Sequence, residues 1–297
     1  MASPAPSASS AAPVLSILML IVTGGVLAGM DVTAKYLALE VPILMVLWGR
    51  YFFHTAINFT VYSVKGRSLY FLRARRPGLQ LIRAAALFGA TSFMYVAITL
   101  MPLGDAAAIQ FMAPVLVTVI SGLFLGEHVG PRRIAAVVVA FIGVVLVARP
   151  GSGVLGWAAL LPLVTAVLLA IYMVMTRYIR GKDDPDATTF YSTAAGALAL
   201  SLVVVFEWQA LSPFQWGLMV TMGAAGALGH LLLVKAFHSA EASLLAPFTY
   251  SQVVGAIIWG YVVFGDVPSV WAASGAALII GSGIYVWYRE TWGRRKT

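Results

Sequence analysis

The sequence contains no cysteine, which removes disulfides, thiolate metal sites and cysteine nucleophiles from consideration together. It is also poor in charge. Asp, Glu, Lys and Arg make up 10% of its 297 residues, against about a quarter in a soluble domain. Apolar residues reach 61% and the mean hydropathy is +0.91, so a water-soluble fold would lack the polar surface to cover its apolar mass. No paired-carboxylate, metal-ligand or nucleophile constellation is complete, so the sequence does not read as an enzyme and requires no cofactor or metal. The acidic run Asp183-Asp184-Pro185-Asp186 could begin a magnesium–diphosphate site, but no second acidic cluster completes it. Proline and aspartate there favour a solvated turn.

What the chain does have is a series of long apolar runs. They predict ten membrane spans, near 14–37, 41–64, 79–100, 104–125, 131–148, 154–177, 187–207, 213–237, 243–264 and 268–288, each close to the roughly 20 residues that cross a bilayer. Prolines punctuate the breaks. The small, uncharged residues 1–13 read as a disordered tail and not as a signal peptide, which would need a basic n-region. Residues 291–297 form a basic tail.

The formal charge of +8 sits mostly in alternate loops. Lys65, Arg67, Arg73, Arg75 and Arg76 follow the second span, with Arg83 just inside the third. Arg132 and Arg133 follow the fourth, Arg177, Arg180 and Lys182 the sixth, and Arg294, Arg295 and Lys296 the last. The opposite loops offer only Lys35 and Arg149. This asymmetry predicts cytoplasmic termini and contact with anionic lipid rather than nucleic acid.

The two halves, 14–149 and 150–290, repeat each other sparsely. Without a gap, Ala107 aligns with Ala246, Gly126 with Gly265 and Glu127 with Asp266. Five spans per half is an odd number, so the second copy enters the membrane inverted. Inverted repeats are an architecture of alternating-access transporters, with the substrate site near the midplane.

The stretch MPLGDAAAIQFMAPVLVTVISGLFLGEHVGP, starting at Met101, and its counterpart APFTYSQVVGAIIWGYVVFGDVPS, starting at Ala246, resemble the two copies of the repeat in the ten-helix EamA branch of the drug/metabolite transporter superfamily. Lys35 and the WGRYFF segment around Arg50 resemble the start of that family. The resemblance covers about 14–290 and is nearest the YddG-type exporters of aromatic amino acids. It implies an all-α inner-membrane protein whose central cavity is lined mainly by spans one, three, four, six, eight and nine. It further implies a small-molecule substrate, most simply an exported amino acid, with amphipathic drugs or other metabolites as the alternative. A monomer suffices for such a design.

Within the spans, Asp31, Lys35 and Arg50 stand out because intramembrane charge is costly and is paired or functional. Asp31 and Lys35 are spaced i, i+4, and Asp31 and Arg50 fall at similar depth on consecutive helices. A structural ion pair competes here with a gate or a coupling carboxylate. His230 is a candidate proton or substrate group, whereas His54 lies on a span expected to be remote from the cavity. Tyr95, Gln110, Tyr172 and Tyr250 place polar tips on apolar walls and are candidate substrate contacts. Pro114 is expected to bend the fourth span. Gly25 and Gly29, with Gly223, Gly226 and Gly229, predict close helix approach.

Overall fold

Lipid offers no hydrogen-bond partner to a peptide group, so an apolar run that crosses a bilayer closes its backbone bonds within itself as a helix. A computed structural model describes residues 11–64, 74–117, 120, 131–148, 156–179, 182–183, 185–239 and 246–292. Among them there is no strand, and ten helices follow one another. These are α1 (Ala11–Leu37), α2 (Ile43–Val64), α3 (Pro77–Leu100), α4 (Leu103–Gln110) and α5 (Pro131–Ala148), then α6 (Leu160–Ile179), α7 (Pro185–Val203), α8 (Pro213–Ser239), α9 (Ser251–Phe264) and α10 (Val270–Trp292). Proline opens α3, α5, α7 and α8, where its missing N–H costs no hydrogen bond.

α1 starts at Ala11, three residues earlier than the apolar run suggested. Residues 1–10, the loop basic residues Lys65, Arg67 and Arg73, Glu127, Arg149 and the tail 293–297 lie outside the described residues. The fourth span departs most from expectation. α4 stops at Gln110, turns at Phe111 and Met112, and resumes over 113–117. Pro114 supplies the cause, since it has no N–H to give to the Gln110 carbonyl one turn back. α9 is likewise preceded by a tighter 3-10 turn, Ala246–Tyr250.

The most extensive packing joins helices of different halves. α1 lies against α8 and α9, α2 against α7 and α8, α3 against α6 and α7, and α5 against α10. Exchanging the halves (α1 for α6, α2 for α7, and so on) maps this pattern onto itself: α1·α8 becomes α6·α3, α2·α8 becomes α7·α3, and α2·α7, α4·α9 and α5·α10 are unchanged. Such closure under exchange is what a two-fold relation between the repeats produces.

Glycine sets how closely some pairs approach. Gly223 and Gly226 of α8 lie against the backbone and ring of His54, so α8 packs directly on α2 there. In α1 Gly24 lies against the backbone of Gln252 in α9, and beside it the Gly25 carbonyl accepts a hydrogen bond from Trp259 Nε1 at 3.2 Å. The tightest reciprocal contact is between α5 and α10. A Cβ on Gly143 would lie 2.7 Å from the Gly275 carbonyl oxygen and 2.8 Å from the Ile279 side chain. Backbone cannot yield there as a flexible side chain can. We therefore expect Gly143→Val to destabilise the fold by about 1–3 kcal/mol, the usual cost of overpacking a close contact. Thermal unfolding of the detergent-solubilised protein tests this, and an unchanged midpoint would rule out the close crossing.

Candidate functional site

A small cavity, roomy enough for little more than a water molecule, lies where α2 and α3 of the first half meet α7 and α8 of the second, lined by Arg50, Tyr51, His54, Leu87, Thr193 and His230. Arg50, Tyr51 and His54 fall on one side of α2 because residues three and four apart share a helix face. The Arg50 guanidinium sits 5.2 Å from the centre of the Tyr95 ring and 5.8 Å from that of Tyr51. Both rings are held rigidly. Tyr51 donates its hydroxyl to Thr91 Oγ1 at 3.0 Å, and the wholly buried Tyr95 lies with its hydroxyl 3.6 Å from Met222 Sδ. The imidazoles of His54 and His230 face each other across α2 and α8 with ring centres 5.3 Å apart.

Asp31 of α1 is buried at 7% exposure and accepts a hydrogen bond from Gln252 Nε2 at 3.4 Å. It lies within the electrostatic reach of Arg50, yet among the described residues no carboxylate comes within 4.0 Å of that guanidinium. The expected Asp31–Arg50 contact pair is therefore not formed. The cation is held by two aromatic faces, an interaction of about 0.5–2 kcal/mol that strengthens as water is excluded, with a carboxylate at longer range.

Lys35 does not pair with Asp31 either. It crosses to the second half, with Nζ 3.1 Å from Asp266 Oδ2, 3.2 Å from the Met101 carbonyl oxygen and 4.6 Å from the centre of the Phe264 ring. The turn that aims Asp266 is local. Gly265 takes φ +71° at the end of α9, its N–H bonds back to the Tyr261 oxygen, and the Asp266 N–H bonds to the Gly260 oxygen. Glycine is favoured in this left-handed cap, and the cap turns the next side chain towards α1. The Lys35–Asp266 pair thus ties the ends of α9, α1 and α3 together, and for Asp266 this is a different role from starting a helix.

The other end of α3 carries a second interlock. Arg83, just inside the third span as expected, is 1% exposed. Its Nε donates to Gln80 Oε1 at 3.2 Å, Nη1 to Thr176 Oγ1 at 3.2 Å, and Nη2 to Ser192 Oγ at 2.7 Å and to the Thr188 carbonyl oxygen. The Tyr172 ring lies 5.0 Å from the guanidinium. Gln80 also donates to Asp183 Oδ2 at 3.0 Å, and Asp183 further accepts from the backbone N–H groups of Arg75 and Arg76. Asp183 is thus more than a solvated turn: it fastens the approach to α3 against the α6–α7 connection. Asp184 lies outside the described residues.

Of the residues expected at the site, the structure gathers Arg50 and His230 into the cavity wall, with Tyr95 against Arg50 and Asp31 within its field. Tyr172 belongs to the Arg83 interlock. Tyr250 packs on Phe111 at 5.5 Å, its hydroxyl buried without a partner among the described residues, and Gln110 ends α4 beside the break. Neither lines the cavity. His54, Tyr51 and Thr193 were not expected there. The i, i+4 spacing of Arg50 and His54, both polar on an apolar helix, was the available signal.

A sequence profile of the EamA-like transporter family matches the chain twice, over residues 14–149 and 156–288. The S-adenosylmethionine uptake transporter of Rickettsia conorii is 28% identical over 263 residues, covering 88% of each chain. The riboflavin transporter of Brucella anthropi is 29% identical over 237 residues, covering 76% of this chain and 81% of its own. A solved crystal structure superposes with a TM-score of 0.65 at 20% identity, over 95% of this chain and 98% of the other, and shows the same fold.

Because Lys35 and Asp266 are partners in a partly buried contact, Lys35→Met and Asp266→Asn should each lower the unfolding temperature and should not add in combination. The expected coupling is about 0.5–3 kcal/mol. Additive losses in the double-mutant cycle would show that the two side chains act separately.

Proposed function

Since the chain belongs to the EamA-like transporter family, and is thereby a small-molecule transporter of the inner membrane and not an enzyme, we propose that it carries its substrate by alternating access through the Arg50 cavity between two inverted repeats, 14–149 and 150–290. The self-mapping helix contacts and the double family match support that division. The lysine and arginine asymmetry supports cytoplasmic termini. The cleft has room for little more than a water molecule, far short of the roughly 300–1,000 Å³ that encloses a drug-sized ligand. The Lys35–Asp266 bridge lies towards one end of α3 and the Arg83 network at the other, so the contracted site sits between two interlocks that join the halves. Transport opens one interlock while the other holds.

Export of aromatic or other neutral amino acids finds no support in the relatives, whose names specify S-adenosylmethionine uptake and riboflavin transport. The substrate we propose joins an α-amino-acid head to a flat heterocycle, as S-adenosylmethionine does. Arg50 carries this reading: a guanidinium without a contacting carboxylate is ready to hold one from a ligand in a bidentate pair. Asp31 is the complementary group for an ammonium, and the Tyr51 and Tyr95 rings offer faces to a heterocycle. Riboflavin is the second candidate, favoured by the same rings but leaving Arg50 without an anion.

Counterflow in proteoliposomes tests this, with labelled S-adenosylmethionine, riboflavin and a panel of amino acids run in parallel. Saturable exchange of S-adenosylmethionine is expected, and Arg50→Gln should reduce it by at least about tenfold, since loss of a charge-assisted pair costs about 1.5–3 kcal/mol. Exchange of riboflavin alone, undiminished in Arg50→Gln, would overturn the carboxylate reading. Absence of exchange for every solute, in vesicles holding folded protein, would overturn the substrate proposal as a whole.

A further inference from the structure

The Arg50 cavity is unusually rich in nitrogen groups. Besides the guanidinium it is lined by both His54 and His230. His54 is only 3% exposed, and among the described residues neither imidazole makes a hydrogen bond. His230 is half-buried, and apolar side chains would pack the α2–α8 contact at less cost than two imidazoles. Structural need alone does not explain them. Their shared feature is that both face the cavity that also holds Arg50.

The surroundings define what the pair can do. From α2 the charged or titratable neighbours are Arg50 and Tyr51, from α1 Asp31, and from α3 Tyr95. α7 contributes the uncharged Thr193. On α8 the next cation, Lys235, is exposed and five residues beyond His230. With the cavity empty, a proton on either imidazole would add a positive charge beside Arg50, and the more distant Asp31 carboxylate, already shared between Arg50 and Gln252, offsets it only in part. A substrate carboxylate placed against Arg50 reverses the balance, because it faces the two rings as well. Thermodynamic reciprocity then requires that a proton on the pair also tightens the hold on the carboxylate.

We infer that the His54–His230 pair is the proton site of this transporter, taking up one proton together with a carboxylate-bearing substrate at Arg50, so that the two cross in the same step. The inference rests on the Arg50 cavity being the substrate site. The chemistry is proton transfer only. An imidazole nitrogen accepts a proton from water on the loading side and returns it to water on the other side when the carboxylate leaves. One histidine suffices to carry the charge. The second ring, in contact, accepts a hydrogen bond from the first and spreads the charge away from Arg50.

The test uses the full-length protein in proteoliposomes, with labelled S-adenosylmethionine as probe and the membrane potential clamped. Two readouts are taken: counterflow at equal pH, which needs no driving ion, and net accumulation under a pH difference of one unit. One-for-one coupling predicts about tenfold accumulation on the alkaline side, since one pH unit is a tenfold ratio of protons. A pH dye inside the vesicles should record about one proton per substrate molecule entering. In the His54→Gln, His230→Gln double variant the ratio of pH-driven accumulation to counterflow should fall about tenfold, to the level without a gradient. Counterflow in the wild type without pH-driven accumulation would overturn the coupling while leaving the transporter reading intact, and so would full pH-driven accumulation by the double variant. Loss of counterflow in the wild type would strike the S-adenosylmethionine reading instead. The wild-type measurements decide the matter even if the double variant fails to fold.

Discussion

A charge carried into a bilayer has no water to solvate it, so whatever compensates it must be supplied by the protein itself. Three cations inside this bundle show three degrees of compensation. Lys35 has a carboxylate, a carbonyl and an aromatic face. Arg83 has no contacting carboxylate, but its donors are taken up by side-chain and backbone oxygens from three helices. Arg50 has aromatic faces, a hydrogen bond to Tyr95 and, from a carboxylate, only the more distant field of Asp31. The first two lie towards opposite ends of α3 and fasten the halves together. The third, least completed by the protein, is the one that opens on a cavity. The chain thus differs from place to place in how fully it meets that cost itself.

The helices were legible in the sequence because the membrane leaves so few alternatives. Length, apolarity and the prolines placed most of the spans to within a few residues, and the basic loops supported their number. Pro114 signalled a disturbance of the fourth span, although the break falls at Phe111 and Met112, where the lost hydrogen bond is felt. Pairings were much less legible. Asp31 and Lys35 satisfy the i, i+4 rule, but that rule concerns residues sharing a helix face, and Lys35 reaches across to the other half instead. Asp266 could be aligned with Glu127 by counting, yet its role depends on the left-handed turn at Gly265 directly before it. His54 was passed over because the span that bears it was expected to stand away from the centre. Glycines on α8 let α2 come close enough to place it there.

The relatives and the geometry constrain substrate chemistry in different ways. The relatives are named for an amino-acid-headed nucleoside and for a flavin, molecules that share a flat heterocycle and little else. Tyrosine faces suit that common part. The arginine distinguishes the two, because only one of them brings a carboxylate.

The reciprocal glycine crossing of α5 and α10 has a consequence of another kind. These two helices meet backbone to backbone at Gly143 and Gly275 and touch the rest of the bundle chiefly through α4 and the 3-10 turn ahead of α9. Neither contributes to the cavity wall or to either interlock. In the alternating-access scheme proposed above they would serve as a keel: a fixed line against which the displacement of every other helix could be read.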